Sequence, residues 1–177
     1  MSLFVDRMIR AAKLDVQLYE EVEADKTTMT QAMSVVVLSS LAGGIGFMSQ
    51  VGLKGLLIGT VGSLVGWYVW AFLTYIIGTK LLPEAQTHAD HGELLRTIGF
   101  ASSPGLIRLL AIIPGVGTIV DFLASGWMLV AMVVAVRQAL DYESTYRAIG
   151  VCLIGWLAQA ALLMLMVMMM GGPPEPL

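Results

Sequence analysis

The run Gly55 to Thr79, GLLIGTVGSLVGWYVWAFLTYIIGT, contains no charged side chain. A helix rises about 1.5 Å per residue, and the hydrocarbon layer of a membrane is about 30 Å thick, so about 20 apolar residues make one crossing. Two further charge-free runs, Thr27 to Leu53 and Ala148 to Gly172, are also long enough. These three runs indicate membrane-spanning helices.

The composition agrees with this interpretation. The 177 residues are 57% hydrophobic and only 13% charged, whereas a soluble domain has about a quarter of its residues charged. Such a chain cannot cover a water-facing surface, which excludes an ordinary soluble domain and makes the lipid bilayer its expected partner. The net charge of -3 also argues against a nucleic-acid partner.

A fourth apolar stretch, Thr97 to Val136, is about twice the length that one crossing needs. Its middle contains Pro114, Gly115 and Gly117, which stop a helix through a missing donor and backbone freedom. We therefore predict a helical hairpin here and, in total, an all-α transmembrane bundle of about five spans. The expected spans are residues 32–50, 55–79, 94–113, 117–137 and 148–170.

The segments outside this domain, which covers residues 29–170, are short. In residues 1–28 apolar side chains recur at helical spacing, which predicts an amphipathic N-terminal helix. That helix could bind a membrane surface or a partner, or it could be a solvated lead-in to the first span. Residues 171–177, GGPPEPL, cannot continue a helix and are expected to be disordered.

The distribution of basic residues predicts the orientation, because short cytoplasmic loops retain Lys and Arg. With five spans, only Lys54 lies on the far side. The amino-terminal side holds Arg7, Arg10, Lys13, Lys26, Lys80, Arg96, Arg137 and Arg147. The amino terminus is therefore expected in the cytoplasm and the carboxyl terminus on the opposite side, in a bacterial inner membrane.

Glycines mark one face of the second span. Gly55, Gly59, Gly62 and Gly66 follow one another at steps of four, three and four, so they share a narrow strip of the helix. Small residues allow helices to approach closely in lipid. The first span, with Gly43 and Gly46, is the expected neighbour; a homodimer seam or a pore wall are the alternatives.

Two charges lie inside apolar sequence, Arg108 and Asp121. Each is one to two helical turns from the predicted bend, so both lie at similar depth and should form an ion pair across the hairpin. The pair could be a structural clip, or Asp121 could bind a proton or cation with Arg108 tuning it. Pro104, after Ser102 and Ser103, predicts a kink nearby.

Neither a catalytic set nor a cofactor site is expected. The loop histidines His88 and His91 have no further Cys or His to complete a metal site, and the methionines Met164 to Met170 are typical of an apolar helix. The glycines lack the Lys-Ser or Lys-Thr of a phosphate-binding loop.

Several motifs resemble those of bacterial members of the Yip family, the Ypt/Rab-interacting proteins. They are Leu18 to Glu23, Thr97 to Pro104, Ile112 to Gly117, Trp127 and Val136 to Leu140. The resemblance implies a five-span bundle with a cytoplasmic amino-terminal segment. Eukaryotic members of the family are membrane adaptors for prenylated Rab-type GTPases.

Two functions remain open from sequence. The first is a non-enzymatic scaffold or accessory subunit that acts through helix packing and its amino-terminal segment, with other membrane proteins or further copies of itself as partners. The second is a small transporter or channel that uses Arg108, Asp121, Ser102, Ser103 and the Pro104 kink as a site within the membrane.

Overall fold

The computed structural model describes residues 2–46, 48–113 and 115–169, and these form a helical bundle without strands. The helices are α1 (Leu3–Ala12), α2 (Val16–Ala24), α3 (Met29–Gly46), α4 (Met48–Ile76), α5 (His91–Phe100), α6 (Gly117–Ala139) and α7 (Thr145–Met169). A π-helical turn, Ile77–Leu81, follows α4, and a 3-10 helix, Ser103–Ile112, follows α5. The predicted all-α class is confirmed.

Four helices in the described part of the chain are long and apolar enough to cross a membrane. They cover Lys26–Ile45, Gly52–Leu81, Gly117–Ala139 and Thr145–Met166, which correspond to the first, second, fourth and fifth predicted spans. In place of the short loop expected between the first two spans, α4 begins at Met48 and bends at Gly52, whose φ of 61° is accessible to glycine without strain.

The third predicted span is not a continuous helix. It consists of α5 and the 3-10 helix, separated by a turn at Ala101 and Ser102. Pro104 explains this break, because it has no N–H to donate and its ring clashes with the carbonyl four residues earlier, that of Phe100, the last residue of α5. The interruption therefore lies just before Pro104, within a span that was expected to be a kinked helix.

The predicted bend of the hairpin is partly described. Pro114 lies outside the described residues, as do Met170 and the tail 171–177. Gly115 has a φ of +85°, and Gly117 is the first residue of α6. Gly115 therefore makes the turn in a backbone conformation that other residues rarely adopt.

The amino-terminal segment forms two helices where one was predicted. Asp15 caps α2 by accepting a hydrogen bond from the Gln17 N–H at 3.0 Å. The helices α1 and α2 fold back on each other, and the Tyr19 hydroxyl donates to the Ala11 carbonyl at 3.1 Å. We call residues 3–24 the N-terminal hairpin.

Ion pairs hold the polar side of the N-terminal hairpin together. Arg7 lies 2.8 Å from Glu21 and 3.2 Å from Asp25, and Arg10 lies 2.8 Å from both Asp15 and Glu21. Arg7 is itself buried, so its charge is matched within the hairpin rather than by water.

The apolar side of the N-terminal hairpin packs against the bundle. Its buried members Ala11, Leu18, Tyr19 and Val22 form one core cluster with Phe100, Ala101, Ala131 and Ala135 of α5, the turn and α6. Arg96 is buried and donates from Nε to the Val22 carbonyl at 2.9 Å, and the Trp127 indole N–H donates to the Ala12 carbonyl at 2.8 Å. The chain itself thus covers the buried part of the apolar stripe, whereas Leu3, Val5 and Ile9 of α1 and Val16 of α2 are exposed apolar side chains.

Several connections meet at one end of the bundle. The Tyr142 hydroxyl, between α6 and α7, donates to the carbonyls of Gly78 at 3.0 Å and Leu82 at 2.7 Å, just after α4. Gln138, at the end of α6, donates to Glu20 of the N-terminal hairpin at 2.9 Å. We call this the basic end, because Lys80, Arg137 and Arg147 lie in or beside these connections.

Candidate ligand-binding cavity

The structure brings the two charges of the apolar region together. Arg108, on the 3-10 helix, donates from Nε to Asp121 Oδ1 on α6 at 2.8 Å. The turn at Gly115 reverses the chain between these elements and places both residues at the same level. The sequence prediction and the geometry therefore agree on this contact.

Two further side chains of α6 hold the Arg108 guanidinium. Its Nη2 donates to Ser125 Oγ at 2.8 Å, and its Nη1 lies 3.3 Å from Met128 Sδ. Ser125 is one helical turn beyond Asp121, and therefore on the same face. That spacing was readable from sequence, although only Arg108 and Asp121 were singled out there.

Gly43 of α3 lies behind the arginine. A Cβ at Gly43 would be 3.4 Å from the Arg108 Cδ, a close but ordinary contact. The backbone of α3 therefore forms a wall for the Arg108 side chain. The surroundings of Gly46, at the end of α3, lie outside what the structure describes.

The ion pair borders an open cavity of about 780 Å³ between the helices. One wall is the glycine strip of α4, Gly55, Gly59, Gly62 and Gly66, and the opposite wall comes from α3, the turn after α5, the 3-10 helix and α6. The polar side chains on the lining are Ser39, Ser40, Ser63, Ser102, Arg108, Asp121 and Gln159. The cavity therefore combines a smooth apolar wall with a charged corner.

The glycine strip does not act as a contact with the first span along its whole length. A Cβ at Gly59 or Gly62 would have no described atom within 4 Å, and at Gly66 it would have the Gln159 side chain at 3.4 Å. No described helix lies against the strip at Gly59 and Gly62, so the packing predicted through these glycines stays a prediction. Within the described residues, the strip is a cavity wall.

Closely packed glycines occur elsewhere. A Cβ at Gly99 of α5 would come within 2.7 Å of the Ala32 Cβ and 3.1 Å of the Ala32 carbonyl oxygen, and one at Gly105 would collide with Ser39. The small residues that permit close packing against α3 are therefore on α5 and the 3-10 helix. Neither position belongs to a regular glycine repeat, so no periodic pattern in the sequence marks them.

Aromatic side chains lie at the end of the cavity nearer the basic end. The rings are those of Trp67 and Trp70, and Ile98 lines the cavity beside them. The Trp67 indole N–H donates to the Leu95 carbonyl at 3.1 Å. The Trp70 indole nitrogen is buried without a hydrogen-bond partner among the described residues. Large aromatic rings therefore bound one end of the cavity, and the ion pair lies at the other end.

The charged corner is accessible. The side chain of Arg108 retains 21% of its exposure and that of Asp121 retains 41%, although both residues lie within an apolar helical bundle. Ionised groups at membrane depth are costly unless protein, water or a polar ligand surrounds them. We infer that water or a polar ligand occupies the space beside Asp121.

The other candidate residues do not join this cavity. Ser103 and Pro104 are buried but do not line it. His91 lies among the rings of Tyr68, Phe72 and Tyr75, with centroid separations of 5.0, 5.7 and 6.3 Å. In the part of the chain that is described, no three His, Cys, Asp or Glu side chains gather as metal ligands.

Sequence reasoning missed Gln159, a cavity residue on α7. It is the one side chain with a strongly polar group in the run Ala148 to Gly172, which is the signal that could have identified it.

Comparison with protein-family models, with curated proteins and with solved structures finds no match.

Proposed function

We propose that the protein is a small membrane transporter that binds its solute in the cavity beside Arg108 and Asp121. The observation that carries this proposal is an accessible ion pair at the edge of a cavity of about 780 Å³ within an apolar helical bundle. Transporters commonly place the few polar groups of a membrane domain around such a site.

A purely structural clip would account for the pairing of Arg108 with Asp121 but not for its exposure. A buried pair contributes most when protein groups satisfy and shield both charges, whereas Asp121 is left 41% accessible. The glycine wall has the same implication. Gly59 and Gly62 are exposed and have no described side chain against them, so this part of the cavity is open.

The test is solute flux in vesicles that contain the purified protein. A panel of labelled amino acids, sodium and protons would be offered to protein-containing and empty vesicles. We expect saturable uptake of at least one probe, and we expect Asp121→Asn to lower it by about tenfold or more. Glu143→Gln makes a matched loss of one negative charge at an exposed position outside the cavity, and it should leave uptake unchanged.

A second candidate is the scaffold or accessory subunit, with the Yip-like adaptors as its analogy. The observation that favours it is the low burial of α4: only 6% of its apolar window is buried, compared with 18% to 33% in the other three candidate spans. A partner helix could cover this surface. If the protein copurifies stoichiometrically with another membrane protein in mild detergent and moves none of the probes, the scaffold replaces the transporter.

A further inference from the structure

We propose that the ligand of the cavity is an amphipathic zwitterion, a molecule that joins an ammonium group and an oxyanion at one end to an apolar portion. This inference rests on the proposed function and names its substrate class. Two sources offer this chemistry: a phospholipid with a phosphoethanolamine headgroup and a free apolar amino acid.

Charge balance is the first reason. Arg108 and Asp121 together carry no net charge, and the other polar side chains that line the cavity are uncharged. A ligand with one charge would therefore leave an unbalanced charge inside an apolar bundle, which is costly. A zwitterion keeps the occupied cavity neutral, and each of its charges meets an opposite charge of the protein.

The free hydrogen-bonding positions of the ion pair are the second reason. Asp121 accepts from Arg108 through Oδ1, while its Oδ2 accepts no hydrogen bond from the described residues. Each of the three Arg108 nitrogens makes one contact, whereas a guanidinium has five N–H groups that can donate. An ammonium group can thus donate to Asp121 while an oxyanion accepts from Arg108.

The shape and lining of the cavity are the third reason. From the ion pair, the space continues along the open glycine wall at Gly59 and Gly62 to the rings of Trp67 and Trp70. These surfaces are mostly apolar; their polar side chains are Gln159, beside Gly66, and Ser63, whose hydroxyl donates to the Gly59 carbonyl. A volume of about 780 Å³ is also larger than a headgroup alone requires. The ligand therefore needs an apolar portion that lies along the glycines.

Two sets of probes test the charge rule on the wild-type protein. The free probes are leucine, 3-methylbutylamine and 4-methylpentanoate, which have similar apolar groups and carry both charges, only the cation or only the anion. The lipid probes are phosphatidylethanolamine and phosphatidylglycerol with identical acyl chains, compared by native mass spectrometry from mixed micelles. In at least one set we expect the zwitterion to bind about tenfold or more tightly than its singly charged analogues.

The two sets also separate the sources. Preference for phosphatidylethanolamine without leucine binding identifies a lipid ligand, and the reverse identifies a free solute. Asp121→Asn should abolish the preference for the zwitterion over the matched anion, whereas Glu143→Gln should preserve it. Gly62→Phe fills the cavity and leaves both charges in place, so it should weaken the binding of all probes. This variant replaces Asp121→Asn in the test if Asp121→Asn does not fold.

Four results would overturn the inference. If a singly charged probe binds as tightly as the zwitterion in both sets, or if no probe binds while vesicle flux persists, the ligand class is wrong and the transporter remains. If no probe binds and no flux occurs, both proposals fail. If Gly62→Phe binds zwitterions as the wild type does, the ligand lies elsewhere.

Discussion

At the scale of single residues, Glu23 is the titratable group whose surroundings have the clearest consequence. It lies at the end of the N-terminal hairpin, where burial raises its pKa to about 8. The carboxylates of Glu93, Asp141 and Glu20 add to this rise, while Arg96 opposes it. Arg96 also donates to the Glu23 carbonyl, so the residue lies at the contact between the hairpin and α5.

This gives the docking of the N-terminal hairpin a defined dependence on pH. Because the docked state raises the pKa of Glu23 from an ordinary value of 4.5 to about 8, it binds a proton that the undocked state releases. Docking is therefore favoured below the ordinary value and weakens as pH rises through about 8. We expect protease cleavage within residues 3–24 to accelerate between about pH 5 and about pH 8 and to level off above that range.

Glu23→Gln should remove this acceleration, since a neutral side chain no longer has to lose a proton. Asp6→Asn, on the first helix of the hairpin, is the control and should keep it. An unchanged pH profile in Glu23→Gln would show that another group governs docking.

Acid should loosen the hairpin for the opposite reason, because the hydrogen bond from Arg10 lowers the pKa of Glu21 and that pairing is lost on protonation.

Residue-level prediction succeeded where a single physical rule was decisive. The charges of Arg108 and Asp121 could be paired from sequence, because both lie at similar distances from one turn and neither tolerates lipid. Their accessibility could not be predicted, because it depends on how far α4 stands from α3 and α6. The burial of Arg96 could not be predicted either, because its partners are backbone carbonyls near Val22, far away in the chain.

At the scale of elements, the glycines give the sharpest test. Gly99 of α5 faces Ala32 so closely that a Cβ would lie 2.7 Å from the Ala32 Cβ, whereas Gly62 of α4 has open space. Gly99→Ala should therefore push α5 away from α3 and destabilise the protein by about 1 to 3 kcal/mol. Gly62→Ala should be neutral or stabilise it by up to about 1 kcal/mol, since alanine favours helix.

Thermal unfolding in one detergent, with both variants compared with the wild type, measures this difference. If Gly62→Ala is the more damaging substitution, the strip of α4 is a packing surface and the cavity is not open.

The comparison of the two glycines also shows the limit of predicting structure from a sequence pattern. A glycine repeat predicts a smooth surface, but only the three-dimensional arrangement reveals whether a helix or a cavity lies against it.

The third span illustrates a related limit. Length and hydropathy predicted a segment near residues 94–113, and Pro104 predicted a disturbance within it. They did not predict that ten residues would adopt a 3-10 helix, because such long 3-10 helices are uncommon and have no distinct sequence period. A 3-10 helix rises about 2.0 Å per residue and an α-helix about 1.5 Å, so α5 and the 3-10 helix together could extend about 35 Å.

At the scale of the whole molecule, the contacts at the basic end bear on the number of crossings. Tyr142, just after α6, donates to the Gly78 carbonyl, just after α4, so these two helices end at the same level. Since α6 has 23 residues and a length of about 34 Å, it should begin near the opposite face. The intervening chain must then return across the bundle, and α5 with the 3-10 helix is long enough to do so. We therefore expect five crossings, one of them without a continuous α-helix.

Cysteine labelling decides between five crossings and four. Cys152, the single native cysteine, would be replaced by alanine, and single cysteines would be placed at the exposed positions Ala85, Thr118 and Glu143. With a membrane-impermeant maleimide and sealed vesicles of known orientation, Ala85→Cys and Glu143→Cys should label from the cytoplasmic side and Thr118→Cys from the other. Labelling of Thr118→Cys from the same side as Ala85→Cys, and of Glu143→Cys from the opposite side, would mean that the 3-10 helix only enters the membrane and returns, because α6 would still cross. In that case Arg108 and Asp121 would lie near the surface, and their exposure would require neither a solute nor a transport function.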